Sequence, residues 1–247
     1  MNLILFEPHE VHKDRVSLTD QRADHIRNIL RLGVGDTLRV GMVNGLAGKG
    51  QVLFLAKNRV DISVNLTIKL PAPANVDLIL ALPRPIMLKR ILKQATVLGV
   101  RHFHLIRSAK VEKSFFHSPV LQPEKMRSFL LEGLTQAMDT RLPEISVHHR
   151  FKPFVEDMVP RLDGSGLIAH PTAATGLPEA VAGMGKGKEQ KVLLAIGPEG
   201  GWNEFEFESF TRQGFTGFSM GKRILHVDTA VVALLAQLQL LREINDG

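Results

Sequence analysis

The sequence predicts an α/β protein in two parts, a small N-terminal β-barrel followed by a mostly parallel sheet covered by helices on both faces. Three observations carry this reading. Short apolar runs separated by turn residues fill the first seventy positions. Pro71-Ala72-Pro73 then interrupts the chain with a stiff, sheet-incompatible stretch. Beyond it, nearly unbroken apolar runs alternate with segments of helical periodicity, the pattern of a parallel sheet buried on both sides. The expected domains are therefore 1–70 and 74–247.

In the first domain, strands are expected at Leu38–Val43, Gln51–Leu55 and Arg59–Leu66, divided by Gly33-Val34-Gly35-Asp36, Asn44-Gly45 and Lys57-Asn58. One helix precedes them. Thr19 can cap it, Ala23, Ile26, Ile29 and Leu30 recur at helical spacing, and Gly33 ends it, leaving Arg22, Arg27 and Arg31 on the opposite face. In the second domain, Val76–Leu82 reads as a strand, Met87–Leu98 as a helix and Phe103–Ile106 as a strand. Gly166–Ala169, Val192–Ile196 and Phe215–Ser219 are further strands alternating with helices, and Gly183–Lys188 reads as a surface loop. Ala230, Leu234, Leu238 and Leu241 form the apolar stripe of a long C-terminal helix, capped by Asp228 or Thr229.

Composition narrows the function. The chain of 247 residues has no cysteine, which removes disulfides, thiolate nucleophiles and cysteine-ligated zinc. The N-terminal apolar run lacks a preceding basic stretch and a following small-residue cleavage site, so no secretory signal is expected. Nor does any run approach the ~18 apolar residues of a membrane span. The protein therefore reads as cytoplasmic, with no membrane partner. A formal charge of +6 and a pI near 9.7 suit a polyanionic partner. The ten histidines, including His102, His104, His148 and His149, show no recognised ligand motif and read as surface or packing residues, so no metal is expected.

Two strand-loop-helix segments carry the chemistry. In the first, the Val192–Ile196 run leads into Gly197-Pro198-Glu199-Gly200-Gly201-Trp202-Asn203, a loop whose glycines allow a ligand to lie against the backbone. It lacks both the phosphate-loop Lys-Ser/Thr and the Gly-x-Gly-x-x-Gly spacing. Asn203 and Glu206 form a capping box, with Trp202 and Phe207 at the staple positions. The second segment runs from Phe218 through Ser219-Met220-Gly221-Lys222-Arg223-Ile224-Leu225-His226-Val227-Asp228 into the last helix. Loops of this kind from one parallel sheet emerge on the edge where α/β proteins bind small molecules.

Gly-Pro-Glu-Gly-Gly after a buried strand, followed about twenty residues later by Met-Gly-Lys-Arg-Ile-Leu-x-x-Asp-Thr-Ala, closely resembles the RsmE-type 16S ribosomal RNA uridine-N3 methyltransferases of the SPOUT superfamily. His25–Leu32 is similar to that family's N-terminal barrel motif, and Lys93–Val100 to its first sheet-covering helix. The resemblance implies a PUA-like barrel, a SPOUT-type trefoil-knotted α/β domain, a homodimer, and methylation of the small ribosomal subunit's 16S rRNA with S-adenosylmethionine. It places the cofactor against His170 and Pro171, against Ile196, Gly197, Pro198, Glu199, Gly200 and Gly201, and against Ser219, Met220, Gly221, Ile224 and Leu225.

Uridine N3 carries a proton at neutral pH, so methylation there needs a base or a stabilised uracil anion. Arg223, aided by Lys222, is the candidate for charge stabilisation, and His226, Asp228 and Glu199 are the candidates for the proton. Lys13, Arg15, Arg22, Arg27 and Arg31 are the candidates for holding RNA phosphates. His226 and Asp228 stand where the family pattern has Arg and Glu. Two alternatives stay open: a SPOUT enzyme with another nucleotide target, and a non-catalytic RNA-binding assembly factor.

Overall fold

A computed structural model describes residues 3–71, 74–184 and 190–245. Ala72, Pro73 and most of the Gly183–Lys188 loop lie outside the described residues. The chain divides into two compact units, Met1–Pro71 with Leu131–Leu142, and Ala72–Leu130 with Pro143–Gly247. The second domain is thus not one continuous stretch. Residues 131–142 join the first unit because Leu131, Leu134 and Leu142 pack with Leu3, Leu5 and Val43. Hydrogen bonds reinforce the packing: Asn44 N donates to Thr140 O at 2.7 Å, and Thr140 Oγ1 donates to Gly45 O at 2.7 Å.

Among the described residues the first unit holds six strands, β1 (Ile4–Phe6), β2 (Val11–His12), β3 (Arg15–Leu18), β4 (Thr37–Met42), β5 (Ala47–Ala56) and β6 (Arg59–Ile68). They lie in the order β1-β4-β5-β6-β3-β2. Only β1 and β4 pair in parallel. Strict alternation in β3, with Arg15 and Ser17 out and Val16 and Leu18 buried, sends one face into a core with Ile4, Phe6, Val40, Val60 and Ile62. Lys13 and Asp14 both take positive φ, the backbone of a two-residue hairpin turn between β2 and β3.

The helix α1 (Gln21–Asp24) departs from expectation at both ends. Asp20, not Thr19, caps it, its carboxylate accepting from Arg22 N at 2.9 Å. From His25 to Ile29 the helix widens into a π turn, with Leu30 N bonding His25 O. The extra residue in that turn rotates Ile29 out of the apolar stripe, leaving it 69% exposed while Ala23 and Ile26 stay buried.

The second unit contains β7 (Val76–Ala81), α2 (Pro85–Val97), β8 (Val100–Ile106), most of α3 (Pro123–Ala137) up to Leu130, β9 (Glu144–His148) and α4 (Phe151–Pro153), which continues as a π turn over Phe154–Met158. It closes with β10 (Ser165–Ala169), α5 (Leu177–Ala182), β11 (Val192–Ile196), α6 (Glu204–Arg212), β12 (Thr216–Phe218) and α7 (Val227–Asn245). The order is β12-β10-β11-β7-β8-β9, and every pair is parallel. Central β7 and β11 are buried along their whole length, as unbroken apolar strands between helical layers must be. Parallel pairing throughout sends the C-terminal ends of all six strands to one edge. Among the described residues no helix is long and apolar enough to cross a membrane.

Candidate functional site

At that edge, the loops after β10 and β12 are stitched together beyond the strands. His170 N donates to Phe218 O at 2.9 Å, and Ser219 N donates to Thr175 O at 2.9 Å. The Ser219 hydroxyl lies 3.3 Å from Pro171 O and accepts from Gly221 N at 3.2 Å. Between the two loops is a cavity of about 450 Å³, walled by Pro171, Ala173–Pro178, Ser219–Lys222 and Gln237 of α7. Its walls are short. Gly221 sits at φ +112°, where other residues strain, and a Cβ on Gly176 would meet only Pro178 Cδ, at 3.6 Å.

Four of the cofactor candidates, Pro171, Ser219, Met220 and Gly221, therefore line the cavity, while Thr175, Gly176, Leu177 and Gln237 were not singled out in the sequence. The run Thr172-Ala-Ala-Thr-Gly176 after a buried strand was the available signal, since small side chains there leave room for a ligand. His170 lies beside the cavity wall, with Thr172 Oγ1 2.9 Å from its Nδ1 and its ring against Phe207.

The glycine loop after β11 is built differently. Gly201, at φ +69°, closes a turn by donating to Pro198 O at 2.8 Å. Lys110 Nζ donates to Gly200 O at 2.6 Å. Glu199 accepts from Arg84 N at 3.4 Å, and its carboxylate is 3.8 Å from Arg84 Nε. Ile196, Gly197, Pro198, Glu199, Gly200 and Gly201 are not among the residues lining the cavity. The expected capping box is present, with Glu206 N donating to Asn203 Oδ1 at 2.8 Å and Asn203 N to Glu206 Oε2 at 3.1 Å. The other Glu206 oxygen accepts from Ala109 N at 2.6 Å, so one carboxylate, 2% exposed, ties the loop after β8 to the start of α6. The staple is not formed as expected. Trp202 packs against Phe210 and Phe151, because Gly197 leaves space for the indole beneath β11, while Phe207 goes to His170.

The catalytic candidates occupy two places. Arg223 and His226 are exposed in the loop before α7, together with Ile224, which is 88% exposed, and Leu225. Helix α7 starts at Val227, so Asp228 lies within its first turn rather than capping it. Its carboxylate accepts from Thr229 N at 3.0 Å and stands 3.6 Å from Arg90 Nη1 of α2. Glu199 is placed instead beside Arg84. Arg84, Arg90 and Lys110 are cations that no motif in the sequence marks.

In the first unit, Lys13, Arg15 and Arg31 are exposed. Arg22 is engaged internally, bonding Glu10 at 2.5 Å, Asp20 at 2.6 Å and Leu5 O at 2.9 Å. Hydrogen bonds from this guanidinium hold the Glu10 and Asp20 carboxyls below their ordinary pKa values. Arg27 likewise reaches Asp24 and the carbonyls of Ala56 and Lys57.

A parallel sheet with a ligand-sized cavity at its C-terminal edge is the arrangement of an α/β domain that binds a small molecule, and residues 70–239 match the RNA methyltransferase domain. The fold is similar to that of Ribosomal RNA small subunit methyltransferase E from Neisseria gonorrhoeae, solved bound to S-adenosyl methionine (TM-score 0.77, 21% identity, 97% of this chain and 98% of that one). It is also similar to a probable rRNA-methyltransferase from Porphyromonas gingivalis (TM-score 0.79, 22% identity, 99% of each chain). In sequence, the chain is 33% identical over 241 residues to Ribosomal RNA small subunit methyltransferase E of Treponema pallidum, covering 96% of this chain and 90% of that protein. The chain belongs to the ribosomal RNA small subunit methyltransferase E family.

S-adenosylmethionine fits what the loops present. The cavity volume lies within the usual small-molecule range, and its two wall glycines leave space where side chains would intrude.

Proposed function

We propose that the protein methylates N3 of a uridine in 16S rRNA of the small ribosomal subunit, using S-adenosylmethionine. The observation that carries this reading is the cavity between the β10 and β12 loops, in a chain of this family. Pro171, Thr175, Gly176, Ser219, Met220 and Gly221, which line the cavity, would hold the cofactor; on the family resemblance alone, His170, Ile196, Gly197, Pro198, Glu199, Gly200, Gly201, Ile224 and Leu225 complete the binding surface. When bound, the cofactor supplies an electrophilic methyl group on a sulfonium.

The chain's own task is to orient the base and manage its proton. Arg223 and Lys222 stabilise the uracil anion through their charge, and His226, Asp228 or Glu199 takes the N3 proton. N3 lies on the base-pairing edge, so the nucleotide is unpaired or flipped when it reacts. Lys13, Arg15 and Arg31, whose charges face solvent, contact phosphates; Arg22 and Arg27 contribute mainly by shaping that surface.

Exposure of Ile224, Leu225, Leu240 and Ile244 in one stretch of chain favours a homodimer in which a second copy covers α7 and the loop before it. We also infer a trefoil knot in the β10–α7 region and a cytoplasmic location, both on the family resemblance. The test is nucleoside analysis of 16S rRNA from cells lacking the protein and from complemented cells. A 3-methyluridine that disappears with the protein and returns with complementation supports the reading, and an unchanged 3-methyluridine content rejects it.

A further inference from the structure

At the opposite edge of the second sheet, near the N-terminal ends of its strands, three ligand-type side chains meet. Residues two apart on a strand share a face, so His102 and His104 of β8 project side by side, their rings stacked at 4.0 Å. The β7–β8 register sets Asp77 beside His102. One ligand atom from each of Asp77, His102 and His104 lies within 4.8 Å of the other two. Asp77 and His104 are each 1% exposed.

The polar atoms of this cluster are not all satisfied. His104 Nε2 is buried without a hydrogen-bond partner among the described residues, 4.0 Å from Asp77 Oδ2. A buried ring nitrogen left this way is costly unless something else meets it. The remaining atoms orient the rings as outer partners of metal ligands do: His104 Nδ1 lies 3.2 Å from His148 Nε2, and His102 Nε2 lies 2.8 Å from Ser146 Oγ.

We propose that Asp77, His102 and His104 form a site for a divalent transition metal ion of the zinc, cobalt or nickel type. Two imidazoles and one carboxylate suit these borderline ions rather than calcium or magnesium, which prefer all-oxygen sets. Lys191 is the built-in competitor. Its ammonium stands 2.5 Å from Asp77 Oδ2, where it neutralises the carboxylate, and its side chain is 30% exposed, so it can swing into solvent as the ion enters. Because Asp77 is near the start of β7 and Lys191 immediately precedes β11, the site is at the strand ends remote from the cofactor cavity. A bound ion would pin β7 to β8 and take no part in methyl transfer.

The full-length chain, stripped of metal by chelator, is titrated with Co²⁺ and followed by visible absorption, then with Zn²⁺ by calorimetry. One equivalent should bind with the intense d–d bands of a low-coordinate site. His102→Ala and His104→Ala should each weaken binding about tenfold or more, while His117→Ala, at an exposed histidine outside the cluster, should not. Lys191→Met should tighten binding about tenfold by removing the competing cation. Should His104→Ala fail to fold, His102→Ala and Lys191→Met still decide the matter. Absence of stoichiometric binding, or binding that His102→Ala and Lys191→Met leave unchanged, overturns the proposal.

Discussion

The two loops that the sequence marked as chemical are built in opposite ways. The Gly197–Asn203 loop is held from several sides, by Lys110 on Gly200 O, by Arg84 on Glu199 and by the buried Glu206 carboxylate behind it. Among the described residues the Ser219–His226 loop is held by hydrogen bonds at its two ends, through Ser219 and through His226 O, which accepts from Ala230 N at 2.8 Å, and from Gly221 to His226 it is exposed. One loop is preorganised and the other open, and in the function proposed above the first fixes geometry while the second is completed by cofactor, RNA or a second copy.

The largest effect is expected at the cavity. Gly176→Phe places a ring in the space that the glycine leaves, and S-adenosylmethionine affinity by calorimetry should fall about 100-fold or more while the thermal midpoint barely moves, since φ at this position suits any residue. A loss of stability as large as the loss of binding would mean that the cavity is ordinary packing.

Glu206→Ala should do the reverse. It removes the acceptor for Ala109 N and Asn203 N, and unsatisfied buried donors of this kind should cost about 3 kcal/mol in denaturant unfolding. Cofactor affinity should fall only as far as the glycine loop loosens.

In the first unit the sharpest probe is pH. Glu10 and Asp20 titrate lower folded than unfolded, because Arg22 hydrogen-bonds both. Their contribution is therefore present above the unfolded values of 4.5 and 3.8 and is lost as pH falls through the lower folded values. These groups are partly solvated, so the effect should be about 1 kcal/mol, and Arg22→Met should flatten the dependence of the unfolding midpoint between about pH 5 and 2. The smallest effect belongs to the surface cations. Lys13→Ala with Arg15→Ala should weaken RNA binding and reduce the salt slope by about 0.7 for each phosphate that is no longer neutralised.

Much of the fold was legible because strand periodicity and turn chemistry agree. Val192–Ile196 matches its apolar run residue for residue, and the capping box at Asn203 and Glu206 forms as its spacing requires. What escaped was set by tertiary contacts. Strand β9, Glu-Ile-Ser-Val-His, has too few apolar residues to announce itself and forms because it pairs along β8. Strand β8 begins at Val100 although Arg101 and His102 break the apolar run. The π turn at His25–Ile29 overrode a regular helical stripe, and residues 131–142 changed unit through contacts with Leu3, Leu5 and Val43. At the site, the glycine motifs located both loops, but spacing could not reveal that residues 173–178 wall the cavity or that Arg84 and Lys110 clamp the other loop.

The most direct test of the account is methyl transfer in vitro, from isotopically labelled S-adenosylmethionine to small ribosomal subunits isolated from cells lacking the protein, with the labelled nucleoside identified by mass spectrometry. The account predicts label in 3-methyluridine of 16S rRNA, sharply reduced at limiting cofactor by Gly176→Phe. Label in another nucleoside, or none from a preparation that binds the cofactor, would contradict it.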